Sequence, residues 1–222
     1  MPINIAVDGP AGAGKSTISR GAAKELGFIY VDTGALYRAI GLHALRLCID
    51  SKDAEKVSAS LAEIKVELKF ADGEQRVYLN GEDVSDAIRA PQASMAASNV
   101  SAVPAVRSFL FDLQRDIAAK NDCIMDGRDI GTVVLPWAQI KIFLTATPEE
   151  RAMRRYKELT AKGVAAQYEQ VLEEMKQRDF NDSNRAIAPL KPAEDSLTVD
   201  TTGLDLKESI DLVITLIKER LS

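Results

Sequence analysis

The chain has 222 residues, 46% of them apolar and 27% charged, and a formal net charge of −5. That length suits one sizeable α/β core, or a core with a small insert. The acidic balance argues against a polymeric nucleic-acid partner, so any bound anion must be drawn by a local cluster of positive charge.

No apolar run approaches the ~20 residues a membrane helix needs, so no membrane partner is expected. The N-terminus enters a strand pattern at once, without the basic region and cleavage site of a signal peptide. Cys48 and Cys123 lie far apart and fit no metal-ligand spacing. They read as reduced, mostly buried thiols of a cytoplasmic protein. His43 is the sole histidine, which excludes a histidine-based metal cluster and a Ser-His-Asp triad.

In chain order, residues 3–7 form a short apolar run bounded by Asp8-Gly9-Pro10 and read as a buried parallel strand. Residues 15–26 read as a helix closed by Gly27, and residues 28–31 as a second strand. Residues 35–48 read as a helix with Leu36, Ile40, Ala44 and Leu47 on one face. The pattern then changes. Residues 65–70 and 76–79 alternate apolar with charged or polar, and the dipeptides Asp72-Gly73 and Asn80-Gly81 supply turns. This is the pattern of a small antiparallel sheet with one solvated face.

Residues 63–100 therefore read as an inserted subdomain in a core made of 1–62 and 101–222. Beyond it the α/β pattern resumes, with a helix over 106–119 and strands over 123–125, 140–144 and 197–199. Helices follow over 149–160, 165–181 and 206–221. Five strands alternating with helices predict a parallel sheet covered on both faces, in an α/β three-layer arrangement.

The clearest motif runs through Gly9, Pro10, Ala11, Gly12, Ala13, Gly14, Lys15, Ser16 and Thr17, and fits G-x-x-x-x-G-K-[ST]. Small residues let backbone N–H groups turn inward around phosphates, and the helix beginning at Lys15 aims its positive dipole end at the same anion. Lys15 can reach the β- and γ-phosphates of a nucleoside triphosphate, and Ser16 can ligate Mg²⁺. By average composition the bare pattern arises in on the order of one chain in a hundred of this size. Here it also lies between the first strand and the first helix, the setting that gives it meaning.

The guanine-reading N-K-x-D of a regulatory GTPase is missing, and Asp200-Thr-Thr-Gly203 reads as a turn after the last strand. A compact kinase of small molecules fits better. A phosphate acceptor is largely ionised at pH 7, so such a kinase needs positive charge rather than a general base. Arg38 and Arg128 follow strands, at the carboxyl ends where ligands bind in parallel sheets. Arg151, Arg154 and Arg155 are spaced to share a helix face, and Arg178, Asp182 and Arg185 to share another. Spacing alone leaves each group open to a second reading, as a solvated face, a surface ion pair or, for Asp126 and Asp129, turn residues. His43, Phe109, Phe111 and Trp137 read as core packing.

The phosphate loop, Asp32-Thr-Gly-Ala-Leu-Tyr-Arg38, Ser98 followed by Pro104-Ala-Val-Arg107, Asp126-Gly-Arg-Asp-Ile-Gly-Thr-Val133 and the stretch from Arg178 to Leu190 together resemble the bacterial cytidylate kinase family. The likeness covers essentially the whole chain. It implies a P-loop nucleoside-monophosphate kinase fold whose insert binds the monophosphate, with a short lid within about 150–165. It implies phosphoryl transfer from ATP, with Mg²⁺, to cytidine monophosphate and its deoxy form. On this resemblance Ser98, Arg107 and Asp129 are the pyrimidine readers, and Arg178 and Asp182 the ribose contacts. Arg38, Arg128 and Arg185 are phosphate ligands. Thr33 stands where the family commonly has serine. Arg151, Arg154 and Arg155 belong to the lid, with Arg151 and Arg154 joining Lys15 and Arg128 in catalysis and Arg155 on ATP. A monomer is expected. Two rivals stay open, a kinase of another small acceptor on the same fold and a nucleotide-binding regulatory protein.

Overall fold

A computed structural model describes residues 2–71 and 74–221. Five strands form one sheet: β1 (Asn4–Asp8), β2 (Ile29–Asp32), β6 (Cys123–Gly127), β7 (Ile140–Thr145) and β8 (Leu197–Asp200), in the order β2-β6-β1-β7-β8. β1 runs parallel to β7 with Ile5 opposite Ile140, and β7 parallel to β8 with Ile142 opposite Leu197. β1 and β6 are buried at every position, which is why each reads in the sequence as an unbroken run rather than an alternation. A second sheet pairs β3 (Val66–Ala71), β4 (Glu74–Leu79) and β5 (Glu82–Asp83) antiparallel. Both the parallel sheet and the small antiparallel one were expected.

The chain divides into two compact units. The first holds residues 29–123 with Pro2. Its helices are α2 (Thr33–Arg46), α3 (Ala54–Ser60), α4 (Pro91–Val100) and α5 (Pro104–Lys120). Leu36, Ile40 and Ala44 of α2 pack with Val57, Val77, Leu79, Val100 and Leu110 in one buried cluster. The second unit holds residues 3–28 and 124–222, with α1 (Lys15–Leu26), α6 (Pro148–Ala161), α7 (Tyr168–Asn184) and α8 (Leu206–Leu221). Met175 and Val171 of α7 pack on Ala152 of α6.

Several details depart from the sequence reading. α2 stops at Arg46, so Leu47 leaves the apolar face and is exposed. Cys48 follows with φ at 55° and is exposed, while Cys123 is buried. Trp137 is 53% exposed and does not serve core packing. Phe111 lies under the Arg115 guanidinium at 3.8 Å. Helices α3 and α4 are unforeseen. The Asn80-Gly81 turn is as read: both residues take positive φ, the conformation a two-residue hairpin needs. Asp72-Gly73 lies outside the described residues.

Candidate functional site

The phosphate loop joins β1 to α1 within the second unit. Gly9 has φ at 150°, and a Cβ there would collide with the Leu144 carbonyl oxygen, so only glycine lets the loop leave the strand. Gly14 takes the left-handed conformation at the start of α1, with no side chain capping the helix and no acidic residue in its first turn. The helix N-terminus thus offers backbone donors and a positive dipole end to an anion.

Lys15 is 6% exposed and donates to the Pro10 carbonyl at 2.8 Å. Burial pushes its ammonium down to about 7, and Arg128 beside it adds to the fall, against the pull of Asp126. Its charge is therefore poorly compensated until phosphate arrives. Ser16 is exposed and donates through Oγ to Asp126 Oδ2 at 2.8 Å. One hydroxyl and one carboxylate are a donor set for a hard cation such as Mg²⁺, which keeps several waters and needs few protein ligands. No cluster of three or more His, Cys, Asp or Glu side chains able to hold a metal stands among the described residues.

Asp126 is a functional candidate that the sequence left open as a turn residue. Asp8 went unsingled altogether. Its buried carboxylate accepts from the backbone N–H groups of Ile130 at 2.8 Å and Gly131 at 2.7 Å. Burial lifts it to about 6, against those two hydrogen bonds. The stretch it holds, Ile130–Val134, is one turn of π-type helix, in which Val134 N–H reaches back to Asp129 at 3.1 Å and Leu135 N–H to Ile130 at 2.7 Å. Such wide turns concentrate at functional sites.

The arginines divide into distinct sets. Arg128 Nε donates to Asp182 Oδ2 at 2.9 Å. Burial alone would raise the Asp182 carboxyl, but the charges of Arg128, Arg178 and Arg185 hold it below the usual carboxylate range. Arg185 was expected on the helix face of Arg178 and Asp182. The helix instead ends at Asn184, and Arg185 turns to an extended backbone. There it pairs with Asp129 at 3.1 Å and donates to the Ala188 carbonyl at 2.6 Å. Arg178 and Asp182 keep the expected i, i+4 spacing on α7, while tertiary contacts bring Arg128 to Asp182 and Arg185 to Asp129.

Arg151, Arg154 and Arg155 also part company. Arg151 is 3% exposed and bridges the Ala11 carbonyl at 2.9 Å, the Ala146 carbonyl at 2.8 Å and Asp179 at 2.6 Å. Arg154 bonds Glu150 at 3.2 Å and the Thr201 carbonyl at 2.8 Å. Arg155 pairs with Glu158 at 2.8 Å on the outside of α6. Asp200 accepts from the Thr202 N–H at 2.8 Å, the turn role expected of it.

In the first unit Thr33 is buried at the start of α2, beside Asp32, which caps the helix through the Ala35 N–H at 3.0 Å. Arg38 pairs with Asp32 at 2.6 Å. Ser98 lies on α4, and its carbonyl accepts from Ser101 Oγ at 2.8 Å. Arg107 donates to the Ser101 carbonyl at 3.3 Å and lies over the Tyr37 ring at 5.8 Å.

A family model for cytidylate kinase matches residues 5–219. The cytidylate kinase of Caldicellulosiruptor saccharolyticus is 53% identical over 96% of this chain and 95% of its own length. That of Pasteurella multocida is 47% identical over 99% of this chain and 96% of its own. In fold, an uncharacterized protein from Eubacterium ventriosum is similar, with a TM-score of 0.54 and 12% identity over 97% of this chain and 98% of that one. The chain belongs to the cytidylate kinase family.

Proposed function

We propose that the chain transfers the γ-phosphoryl group of ATP to cytidine monophosphate, giving ADP and cytidine diphosphate, and accepts the deoxy acceptor as well. One observation carries the reading: a phosphate loop with a buried lysine, and an adjacent Ser16–Asp126 pair, in a chain matched along its length by cytidylate kinases. Backbone N–H groups of residues 9–17 cradle the ATP phosphates, and Lys15 neutralises charge on them. Ser16 and Asp126 would hold Mg²⁺, which when bound offsets phosphate charge.

Arg38, Arg128 and Arg185 hold the acceptor phosphate. Arg178 and Asp182 take the ribose. Ser98, Arg107 and Asp129 read the cytosine edge, where a hydroxyl, a guanidinium and a carboxylate complement ring acceptors and an exocyclic amine. Arg151, Arg154 and Arg155, with the lid of residues 150–165, close on ATP. The acceptor is already ionised, so positioning and charge stabilisation supply the catalysis and no proton acceptor is required. The insert of residues 63–100 serves the acceptor. One copy carries every residue the reaction uses, which supports a monomer, and the thiol usage supports the cytoplasm. No helix among the described residues is long and apolar enough to cross a membrane.

The test is ADP release from ATP·Mg²⁺ with cytidine, deoxycytidine, uridine and adenosine monophosphates and a blank without acceptor. Fast turnover with the two cytidylates is expected. Turnover independent of acceptor, or preference for adenylate, would discard the acceptor assignment and keep only the phosphate loop.

A further inference from the structure

β2 stands at the edge of the five-stranded sheet, beside β6 in the strand order of the described residues. Backbone donors and acceptors on the outer side of an edge strand need partners. At Asp32, the last residue of β2, a side chain provides them. Gln75, on β4 of the small sheet, accepts from the Asp32 N–H through Oε1 at 2.8 Å. Its Nε2 donates to the Asp32 carbonyl at 3.2 Å. One primary amide thus makes both contacts that a neighbouring strand would make with this residue. Both partners lie in the first unit.

Asp32 is also the fixed point of the segment that follows. Its carboxylate takes the Ala35 N–H at 3.0 Å through Oδ1 and the Arg38 guanidinium at 2.6 Å through Oδ2. A Cβ on Gly34 would sit 3.1 Å from both Arg38 Nη1 and Asp32 Oδ1, so backbone and guanidinium are closely fitted. The direction of Arg38 depends on where the Asp32 carboxylate sits, and the Asp32 backbone is pinned by Gln75.

We propose that Gln75 is a positioning residue for the acceptor phosphate: through Asp32 it sets the aim of Arg38 and ties the small antiparallel sheet to acceptor binding. The inference rests on the reading of Arg38 as a phosphate ligand. Gln75 touches no reacting atom. It acts as a one-residue strand whose loss frees the end of β2.

The test is steady-state kinetics on the full chain for Gln75→Leu, Gln75→Ala, Arg38→Ala and the double variant Gln75→Leu/Arg38→Ala, with melting temperatures alongside. Gln75 is half-buried, so both of its variants should fold. Each should raise the KM for cytidine monophosphate about three- to tenfold and leave the KM for ATP near wild type, while the two lost hydrogen bonds to the Asp32 backbone lower the melting temperature by a similar, modest amount in both variants. In the Arg38→Ala background Gln75→Leu should add nothing, because its route is gone. A merely structural glutamine would instead raise both KM values together, and its effect would multiply with that of Arg38→Ala. An unchanged acceptor KM in both Gln75 variants, with Arg38→Ala impaired, overturns the inference alone. An unchanged acceptor KM in Arg38→Ala overturns the site reading, and the inference with it.

Discussion

Ser16 and Asp126, 110 positions apart in the chain, meet through a 2.8 Å hydrogen bond between hydroxyl and carboxylate. The pair brings the first turn of α1 to the end of β6 and places two hard oxygen donors side by side. Asp126→Asn keeps the hydrogen bond and removes the charge. It should raise the Mg²⁺ concentration needed for half-maximal rate by about tenfold or more. A titration of rate against Mg²⁺ checks this. An unchanged half-saturation point would take Asp126 out of the cation site.

Arg151 is more deeply fixed than a lid residue need be. Its guanidinium spans the Ala11 carbonyl in the phosphate loop and Asp179 on α7, with a side-chain exposure of 4%. Removing one partner of a buried ion pair costs about 3 kcal/mol, because the other charge is left without compensation. Arg151→Ala should therefore lower stability by that order in denaturant unfolding. Arg155→Ala, whose pair lies on the outer side of α6, should change stability by under about 1 kcal/mol and report on ATP binding alone. Equal stability losses in the two would contradict this difference.

How far the sequence carried these conclusions depends on the range of the forces involved. The strands β1 and β6 were legible because burial on both faces leaves short, largely apolar runs, and the phosphate loop because its glycines answer a local backbone demand. The reading failed where distant contacts decide. Arg185 was assigned to a helix face by its spacing, but the helix stops one residue earlier and Arg185 turns to Asp129. Helix α4 is built largely of small and polar residues with a weak apolar stripe, so it left no clear period. The π-type turn at Ile130–Val134 has its first N–H groups bound by Asp8, a partner more than 120 positions away, and no local pattern announces it.

Asp8 gives a pH test with a definite sign. Its carboxyl rises from 3.8 to about 6 on folding, chiefly through burial. The folded state therefore holds this proton more tightly than the unfolded chain. The stability Asp8 contributes is fully present below pH 3.8 and is lost as pH rises through about 6. Asp8→Asn removes the titration. The stability of wild type minus that of Asp8→Asn should fall by roughly 2 kcal/mol between pH 4 and pH 7, given 1.36 kcal/mol for each unit and the part already lost below pH 4. Denaturant unfolding of both proteins across that range measures it. A flat difference would mean that Asp8 folds with an ordinary carboxyl.

Asp182 holds Arg128 at 2.9 Å and is 5% exposed, so its side chain has two candidate duties, one toward that guanidinium and one toward the sugar. The two acceptors separate them. Asp182→Asn weakens the charge-assisted bond to Arg128 whichever substrate is present. That should raise the KM for both cytidine and deoxycytidine monophosphate by roughly tenfold, since hydrogen bonds to charged groups are worth about 1.5–3 kcal/mol. A direct contact with the 2′-hydroxyl is available to the ribonucleotide alone. If Asp182 makes it, the loss for cytidine monophosphate should exceed the loss for the deoxy acceptor by a further factor of about five to ten. Equal losses would restrict Asp182 to holding Arg128. No loss with either acceptor would remove it from the acceptor site.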